Sequence, residues 1–303
     1  MFKGSALRGL LLGLLVVAAI GVVVWLRVSG REEAEAPPGA PASRPAPVLG
    51  CGQARWAAAA RANQASLLQL PWSPFGRPET GWATYAPLIS REVGARCPPD
   101  SESFAGSYAR WQARQALAAD GVFKAAEFDR IRNALALRRP FVRITGRGVC
   151  PAAADEATLE TARPEETYGG KAVRPRPGAL AAYRRMVAAA KADGVAAKPP
   201  LLRLVSGYRG PVEEAARCLR GGCDTVVRAR CSAHRTGLAV DLYLQPAPGM
   251  APTSADDVNR RRMAASPEYR WLVGNAARFG FLPYAYEPWH WEWAGEAARV
   301  SRP

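Results

Sequence analysis

The sequence predicts an α+β fold, in which a small, mostly antiparallel sheet with flanking helices follows a small helical domain and an N-terminal transmembrane helix. Three observations support this prediction. Residues 238–244 and 287–293 have the alternating, apolar and aromatic character of short strands. Residues 177–191 and 266–280 carry the apolar stripe that is typical of amphipathic helices. Residues 9–26 form an uncharged apolar run near the N-terminus.

Residues 1–30 are predicted to form a transmembrane anchor. As a helix, the uncharged segment 9–26 would be roughly 27 Å long, just enough to span the hydrocarbon core of a bilayer. Lys3 and Arg8 precede this segment, which indicates a cytoplasmic N-terminus and an exported body. A cleaved signal peptide is the alternative, but the sequence around Leu26 offers no small-residue cleavage site.

Residues 31–50 are rich in proline, alanine and glutamate, and are predicted to form an extended linker. Residues 51–150 are predicted to form a helical domain. Within it, Trp111-Gln112 precedes an L-x-x-D-G segment at residues 117–121. This pattern resembles a helical peptidoglycan-binding repeat, which places F-Q before G-L-x-x-D-G-x-x-G, although Ala116 replaces the first glycine and the last glycine is absent. The resemblance implies peptidoglycan binding; a small helical domain that only packs on the rest of the chain is the alternative.

Residues 151–303 are predicted to form a second domain, which contains the sheet. Just before it, residues 141–145 are predicted to be a short strand. The helix over residues 177–191 is followed by a strand over residues 201–205, and this strand brings Arg209 to its end.

The last predicted helix begins at Ser266, as N-cap, with Pro267 in the first helical position, and it ends at Gly280. We expect this helix to pack behind the sheet and to support the C-terminal strand. Residues 217–235 contain several arginines and are predicted to be a loop-like insert that forms a basic rim over a cleft. A solvated loop without a role is the alternative.

The sequence contains two histidines, and each lies in a distinctive local pattern. His234 belongs to S-x-H-x-x-G-x-x-x-D, which ends at Asp241, and His290 belongs to E-x-W-H, which begins at Glu287. Because side chains alternate along a strand, Asp241 would point away from the apolar face and His290 would share a face with Glu292. Two neighbouring strands could then present Asp241 and His290 to one cleft. Two imidazoles and a carboxylate are a common catalytic zinc set, and a further carboxylate nearby can act as general base.

These patterns, with S-G-Y-R at residues 206–209, resemble the LAS metallopeptidases (lysostaphin, D-alanyl-D-alanine peptidases, sonic hedgehog). Within that group the chain is most similar to VanY-type D-alanyl-D-alanine carboxypeptidases, whose patterns S-G-Y-R, S-x-H-x-x-G-x-x-x-D and E-x-W-H occur here in the same order. The resemblance covers residues 180–294. One departure lies at residues 210–214, where this chain has G-P-V-E-E and many relatives carry a glutamine.

The resemblance implies a LAS peptidase core and a zinc-dependent D-alanyl-D-alanine carboxypeptidase that hydrolyses peptidoglycan stem peptides. A cross-link endopeptidase of the same fold is the alternative. Arg209 is implied to bind the substrate carbonyl or the terminal carboxylate. The residues implied are His234, Asp241 and His290 as Zn²⁺ ligands, Glu287 as general base, and Arg209, Ser232, Tyr208 and Trp289 around the substrate. Together with the anchor, this function implies a periplasmic enzyme held on the inner membrane of a bacterial cell envelope.

A formal net charge of +15 favours anionic partners. Nucleic acid is one interpretation of such a charge, but the predicted export segment favours a cell-envelope polymer instead. We therefore expect peptidoglycan stem peptides as the partner, membrane contact through the anchor, and no nucleic acid. No obligate protein partner is evident in the sequence.

Six cysteines follow the apolar segment. An even number beyond an export signal favours three disulfides, whose pairing the sequence leaves open; reduced, buried cysteines are the alternative. A competing interpretation places a structural zinc on Cys218, Cys223, Cys231 and His234, which would make the region a non-catalytic cell-wall-binding module. An oxidising location argues against such thiolates. A third interpretation keeps the fold without catalysis, as in binding modules similar to sonic hedgehog.

Overall fold

The computed structural model describes residues 50–146, 150–221, 223 and 231–295. The predicted transmembrane segment, residues 9–26, and nearly all of the predicted linker lie outside these ranges. Within them, no helix is both long enough and apolar enough to cross a membrane.

Residues 50–146 are mainly helical, with one short β-hairpin. Helix α3 begins at Ser101, whose hydroxyl oxygen accepts a hydrogen bond from the Phe104 N–H at 3.1 Å. Helix α2 ends at Gly94, which has φ +74°, a conformation that favours glycine. The elements are the 3₁₀ turn Ala54–Trp56, α1 Ala57–Leu67, β1 Pro71–Trp72, β2 Glu79–Thr80, α2 Ala86–Val93, α3 Glu102–Arg114, α4 Ala125–Arg138 and α5 Pro140–Thr145.

The prediction of a strand at residues 141–145 is wrong, because these residues form helix α5. Pro140 is the first residue of this helix, where its fixed φ suits a helix and its missing N–H is not needed. The residue before a proline avoids the helical conformation. Accordingly, Arg139 is extended, with φ −71° and ψ 134°, and it separates α4 from α5.

The segment that resembles a peptidoglycan-binding repeat forms a tight turn between α3 and α4. The Gln112 side-chain amide donates to Asp120 Oδ1 at 2.9 Å, and its oxygen accepts from the Gly121 N–H at 2.8 Å. Gly121 has φ +74°, and a Cβ there would lie 2.7 Å from the carbonyl oxygen of Ala105. The D-G pair is therefore required by the turn itself. Peptidoglycan binding by this region stays a prediction.

The C-terminal region contains a four-stranded sheet in the order β3-β4-β6-β5, with every neighbouring pair antiparallel. The predicted combination of helices with a small antiparallel sheet is thus confirmed. The strands are β3 Leu204–Ser206, β4 Ala239–Leu242, β5 Phe281–Tyr284 and β6 Glu287–Trp293. The helices are α6 Pro177–Ala192, α7 Pro211–Gly221, α8 Asp257–Ala264 and α9 Pro267–Asn275, and 3₁₀ turns include Ala233–Thr236 and Ala276–Phe279.

Sequence signals explain two of these helices and correct a third. Ser266 caps α9 by accepting from the Tyr269 N–H at 3.2 Å, as predicted. Helix α6 covers the predicted residues 177–191 and buries its apolar side. The predicted loop at residues 217–235 is wrong at its start, because α7 continues to Gly221. Residues 222 and 224–230 of that segment lie outside the described ranges.

The two regions share one hydrophobic core, and residues Leu49–Pro303 form a single compact unit. A fully buried cation, Arg260 of α8, lies where the regions meet. Its guanidinium group donates to the Tyr85 hydroxyl and to the Tyr286 carbonyl, and it lies 3.1 Å from a Glu79 oxygen. Buried charges are stable only when they are paired in this way.

All six cysteines form disulfides, as predicted: Cys51–Cys97, Cys150–Cys231 and Cys218–Cys223. The competing structural zinc site on Cys218, Cys223, Cys231 and His234 is therefore wrong, since its three sulfurs are used in covalent bonds.

Candidate metal centre and its cleft

Three buried side chains from two strands and a turn meet at the centre of the sheet. Asp241 of β4 and His290 of β6 are direct partners in the antiparallel register, so their side chains share one face. His234 reaches the same place from the 3₁₀ turn Ala233–Thr236. Ser232 starts this turn by accepting from the His234 N–H, and Gly237 ends it with φ +68°. The fold thus brings together the three predicted ligands.

The segment before α6 supports this turn from outside. The Ala154 N–H donates to the Arg235 carbonyl at 2.9 Å, and the Arg176 N–H donates to the Gly237 carbonyl at 2.8 Å. Glu214 of α7, which is 4% exposed, accepts from the Ser232 N–H and from the Arg235 guanidinium group. Glu214, in the segment 210–214 where the sequence departs from the pattern it resembles, therefore anchors the turn that carries His234.

The possible donor atoms of the three side chains lie within 4.8 Å of one another. Asp241 Oδ1 is 3.2 Å from His234 Nε2 and 3.0 Å from His290 Nδ1, and the two ring nitrogens are 3.2 Å apart. The side chains are almost completely buried, with 1% exposure for His234 and 4% for Asp241 and His290. One carboxylate oxygen and two imidazole nitrogens therefore converge on one point.

The hydrogen bonds of the rings show that this point suits a cation. His234 Nδ1 lies 2.6 Å from the Gly207 carbonyl, which can only accept, so this nitrogen carries the proton and Nε2 presents a lone pair. His290 Nε2 faces Glu292 Oε1 at 3.6 Å, which favours a proton on that nitrogen and leaves Nδ1 for the centre. Two nitrogen lone pairs and a carboxylate form a donor set that Zn²⁺ accepts, and carbonyl or carboxylate partners behind the rings are typical of metal-binding histidines.

The protonation equilibria point the same way. Burial and the nearby Arg209 charge lower the pKa of His234 to about 4, so this ring is neutral. Burial works against a charged Asp241, but His234 and His290 hold the pKa of its carboxyl well below the usual range. Burial also disfavours a charged His290, yet the Asp241 and Glu292 carboxylates beside its two ring nitrogens raise its pKa to about 9. The centre is therefore arranged to hold positive charge beside an ionised Asp241.

Glu287, the first residue of β6, lies beside the three predicted ligands. Its Oε2 is 3.9 Å from His290 Nδ1, and its side chain is 12% exposed. Burial raises the pKa of this carboxyl to about 7, even though the His290 charge opposes the rise. A buried carboxyl with a pKa near neutrality, next to a cation site, has the properties of a general base.

Arg209 follows β3 and points toward the same centre. Its Nη1 donates to the Ser206 hydroxyl at 3.0 Å, its Nη2 donates to the Ser232 hydroxyl at 3.2 Å, and Nη1 is 3.7 Å from Asp241 Oδ2. Its Nε is buried and has no hydrogen-bond partner within the described part of the chain. The guanidinium group is thus held in place beside the centre by two neutral hydroxyls.

A cavity of about 420 Å³ opens onto this centre. Arg209, Ser232 and Trp289 line it, as do Glu287 and the three predicted ligands. Tyr208 does not; it lines a second groove, on the other side of α7, with Glu156 and Arg174. Charged residues of both signs surround the cavity: Arg139, Lys171, Arg209 and Arg217 with Glu213, Glu214 and Glu287.

Part of the cavity wall comes from the helical region, which sequence reasoning did not expect. Arg139, Phe141 and Val142 line the cavity, and Arg139 and Phe141 contact Glu292. Burial works against a charged Glu292, but the Arg139 charge and the neighbouring His290 lower the pKa of its carboxyl to about 2. The one local signal in the sequence is Arg139 directly before Pro140. This pair predicts a break in the helix, but it does not predict that Arg139 contacts Glu292.

A buried His–Asp–His cluster with an adjacent glutamate, on an antiparallel sheet flanked by helices, is the arrangement expected of a LAS-type metallopeptidase. Residues 223–296 match the family model of VanY, described as D-alanyl-D-alanine carboxypeptidase. The part of the chain that carries Asp241, Glu287 and the two histidines is therefore VanY-like.

Solved structures with some similarity include two of the VanY type and one of LdcB. The LdcB LD-carboxypeptidase is 27% identical over 42% of this chain and 63% of its own, with a TM-score of 0.33. A Zn(II) complex of the vancomycin-resistance D,D-pentapeptidase VanY is 26% identical over 49% of this chain and 86% of its own, with a TM-score of 0.32. VanYB in complex with D-alanine-D-alanine is 27% identical over 49% of this chain and 83% of its own, with a TM-score of 0.31. The chain thus spans less than two thirds of the LdcB chain. No curated protein matches it.

Proposed function

We propose that this protein is a zinc-dependent D-alanyl-D-alanine carboxypeptidase that acts on peptidoglycan stem peptides. The observation that carries the proposal is the convergence of His234, Asp241 and His290 in one cavity with the buried carboxyl of Glu287. The match of residues 223–296 to the VanY family model supports the substrate class.

His234 Nε2, His290 Nδ1 and a carboxylate oxygen of Asp241 would hold the zinc ion. When bound, zinc supplies positive charge that polarises a substrate carbonyl and makes a nearby water easier to deprotonate. Glu287 takes a proton from the attacking water and passes it to the leaving amine. Its pKa of about 7 suits both steps, since the carboxyl can accept and release a proton near neutral pH.

Arg209 binds the substrate on the other side of the centre. Its guanidinium group lines the cavity and is suited to a carboxylate or a carbonyl, because it carries a positive charge and donates several hydrogen bonds in a fixed geometry. Ser232 fixes the direction of the guanidinium group, and Trp289 supplies an apolar part of the cavity wall. A free terminal carboxylate of D-alanine would satisfy this arrangement.

Mass spectrometry of purified peptidoglycan digested with the protein tests the proposal. We expect zinc-dependent loss of one terminal D-alanine from pentapeptide stems, and about 10²- to 10⁴-fold slower loss with Glu287→Gln. Release of monomers from cross-linked dimers would show an endopeptidase of the same fold instead. Binding to peptidoglycan without any product would show a non-catalytic module.

We also propose that residues 9–26 anchor the enzyme to the inner membrane with the cleft in the periplasm, because the segment is apolar and follows basic residues. Mapping the mature N-terminus tests this. An N-terminus downstream of Leu26 would show a cleaved signal peptide.

A further inference from the structure

We propose that Arg139 and Glu292 act as a positioning pair that holds His290 in its metal-binding orientation, so that the helical region supplies part of the metal centre. This inference rests on the metal site of the proposed function. It concerns two residues that touch neither the proposed metal nor the reacting groups. One of them, Arg139, lies outside the segment that matches the VanY model.

The pair is buried, and both oxygens of its carboxylate accept hydrogen bonds. Arg139 is 7% exposed and Glu292 is 1% exposed. Arg139 Nε donates to Glu292 Oε1 at 2.7 Å, and the Phe141 N–H donates to Glu292 Oε2 at 3.0 Å. The guanidinium group also lies 4.1 Å from the centre of the Tyr284 ring. Both carboxylate oxygens are therefore fixed by groups from the break between α4 and α5.

Glu292 is in turn the neighbour that orients His290. The two residues are two positions apart on β6, so their side chains lie on the same face. Glu292 Oε1 is 3.6 Å from His290 Nε2, and this nitrogen has no hydrogen-bond partner in the part of the chain that the structure describes. A fixed negative charge at this point favours the tautomer with the proton on Nε2. It thereby keeps Nδ1 free to bind the metal.

The geometry of the helical region explains how Arg139 reaches this position. Pro140 forces the preceding residue out of the helical conformation, so the chain turns at Arg139 and its side chain enters the cavity wall. Arg138, one residue earlier, is still helical and points elsewhere. Its side chain is 49% exposed and pairs with Glu92 at 3.0 Å. Adjacent arginines thus provide a test residue and a matched control.

The test measures zinc affinity by equilibrium competition with a chelator, together with thermal unfolding of the metal-free protein. Arg139→Gln should weaken zinc binding by about 10- to 100-fold, the usual effect of removing a group that orients a metal ligand. Arg138→Gln should change it by less than about twofold, because an exposed ion pair contributes little.

Two further variants separate positioning from a general loss of structure. Glu292→Gln should weaken zinc binding to a similar extent. The double variant Arg139→Gln/Glu292→Gln should bind zinc at least as tightly as the single variant with the lower zinc affinity, since both changes remove the same unit. Arg139→Gln alone leaves the buried Glu292 carboxylate without its arginine and could prevent folding. The double variant removes both charges of the pair, so its zinc affinity can be compared with that of the unaltered protein even where Arg139→Gln does not fold.

The outcomes are distinguishable. Zinc affinity that is unchanged in folded Arg139→Gln, or in the double variant, would overturn the pair as a positioning unit and leave it a structural ion pair. The fold-losses of zinc affinity of the two single variants could also multiply in the double variant. Such a result would show that the two residues act independently, and it would overturn the positioning pair as well. The unaltered protein could bind zinc and yet hydrolyse no peptide. In that case, weaker zinc binding by the variants would support the positioning pair, and the proposed function would be wrong. An unaltered protein that binds no zinc would overturn both.

Discussion

Replacing Glu287 by glutamine tests the general base without disturbing the metal ligands. The substitution keeps the size of the side chain and one acceptor oxygen, but it removes the group that accepts a proton. Glu287 Oε2 lies 3.9 Å from His290 Nδ1, and the residue is not a member of the converging donor set. We therefore expect about one zinc per chain in the variant, as in the unaltered protein. Turnover should fall by about 10²- to 10⁴-fold, the usual contribution of a positioned acid–base group.

The same substitution has a predictable effect on stability, which can be worked out from the pKa. Burial raises the pKa of Glu287 from 4.5 to about 7. Between these two values the folded protein keeps a proton that the unfolded chain has released, so its stability falls as the pH rises. At about 1.4 kcal/mol per pKa unit, the ionised carboxylate costs about 3 kcal/mol above pH 7. Glutamine does not carry this cost.

Metal-free Glu287→Gln should therefore be more stable than the metal-free parent by about 2–3 kcal/mol near pH 8 and equal to it near pH 4. Urea unfolding at both pH values measures the difference. Glu165→Gln is the control, since its carboxylate is 62% exposed and pairs with the exposed Arg163; it should change stability by less than about 0.5 kcal/mol. Equal stabilities near pH 8 would refute the raised pKa, and a zinc-loaded variant with full turnover would show that another group is the base.

Three further results are expected. His234→Ala and His290→Ala should each lose zinc and activity together, as measured by metal analysis and peptide hydrolysis; full zinc in His290→Ala would show that the ligand set is wrong. The non-reduced protein should contain no alkylatable thiol, and replacing Cys150 and Cys231 by serine should lower the free energy of unfolding by about 2–5 kcal/mol; free thiols would contradict the disulfides. Burial opposes ionisation of Glu166, but hydrogen bonds from two arginines lower its pKa to about 2. Glu166→Gln should therefore cost about 1–2 kcal/mol at pH 7, because the arginines are partly exposed, and this cost should disappear as the pH falls from 4.5 toward 2.

The sequence predicted the centre of the sheet well, because strand alternation and motif spacing are local properties. Asp241 and His290 lie on neighbouring strands, and their register places them directly opposite each other. The glycine that ends the His234 turn and the serine that caps α9 also act as their residue types predict. These features depend on a few adjacent residues, so a single sequence contains them.

The surroundings of the site could not be predicted in the same way. The run Val142–Thr145 contains three β-branched residues, which favour a strand, but Pro140 and packing against the C-terminal region make it a helix. No local pattern indicates that Arg139 meets Glu292, or that Tyr208 lies in a groove apart from the cleft. Such contacts depend on how distant segments pack, which periodicity does not determine.

The pairing of Arg139 with Glu292 joins residues that are 153 positions apart in the chain. Contacts across so long a stretch form late in folding, because the intervening chain must first be confined. During synthesis, the helical region is complete long before β6 leaves the ribosome. A nascent chain in which only the helical region has been made therefore lacks Glu287 and His290. It also lacks Glu292, whose carboxylate is proposed to orient this histidine. The proposed hydrolytic activity can appear only after β6 has been made and has paired with the rest of the sheet, so a chain that ends before β6 cannot cut peptide bonds.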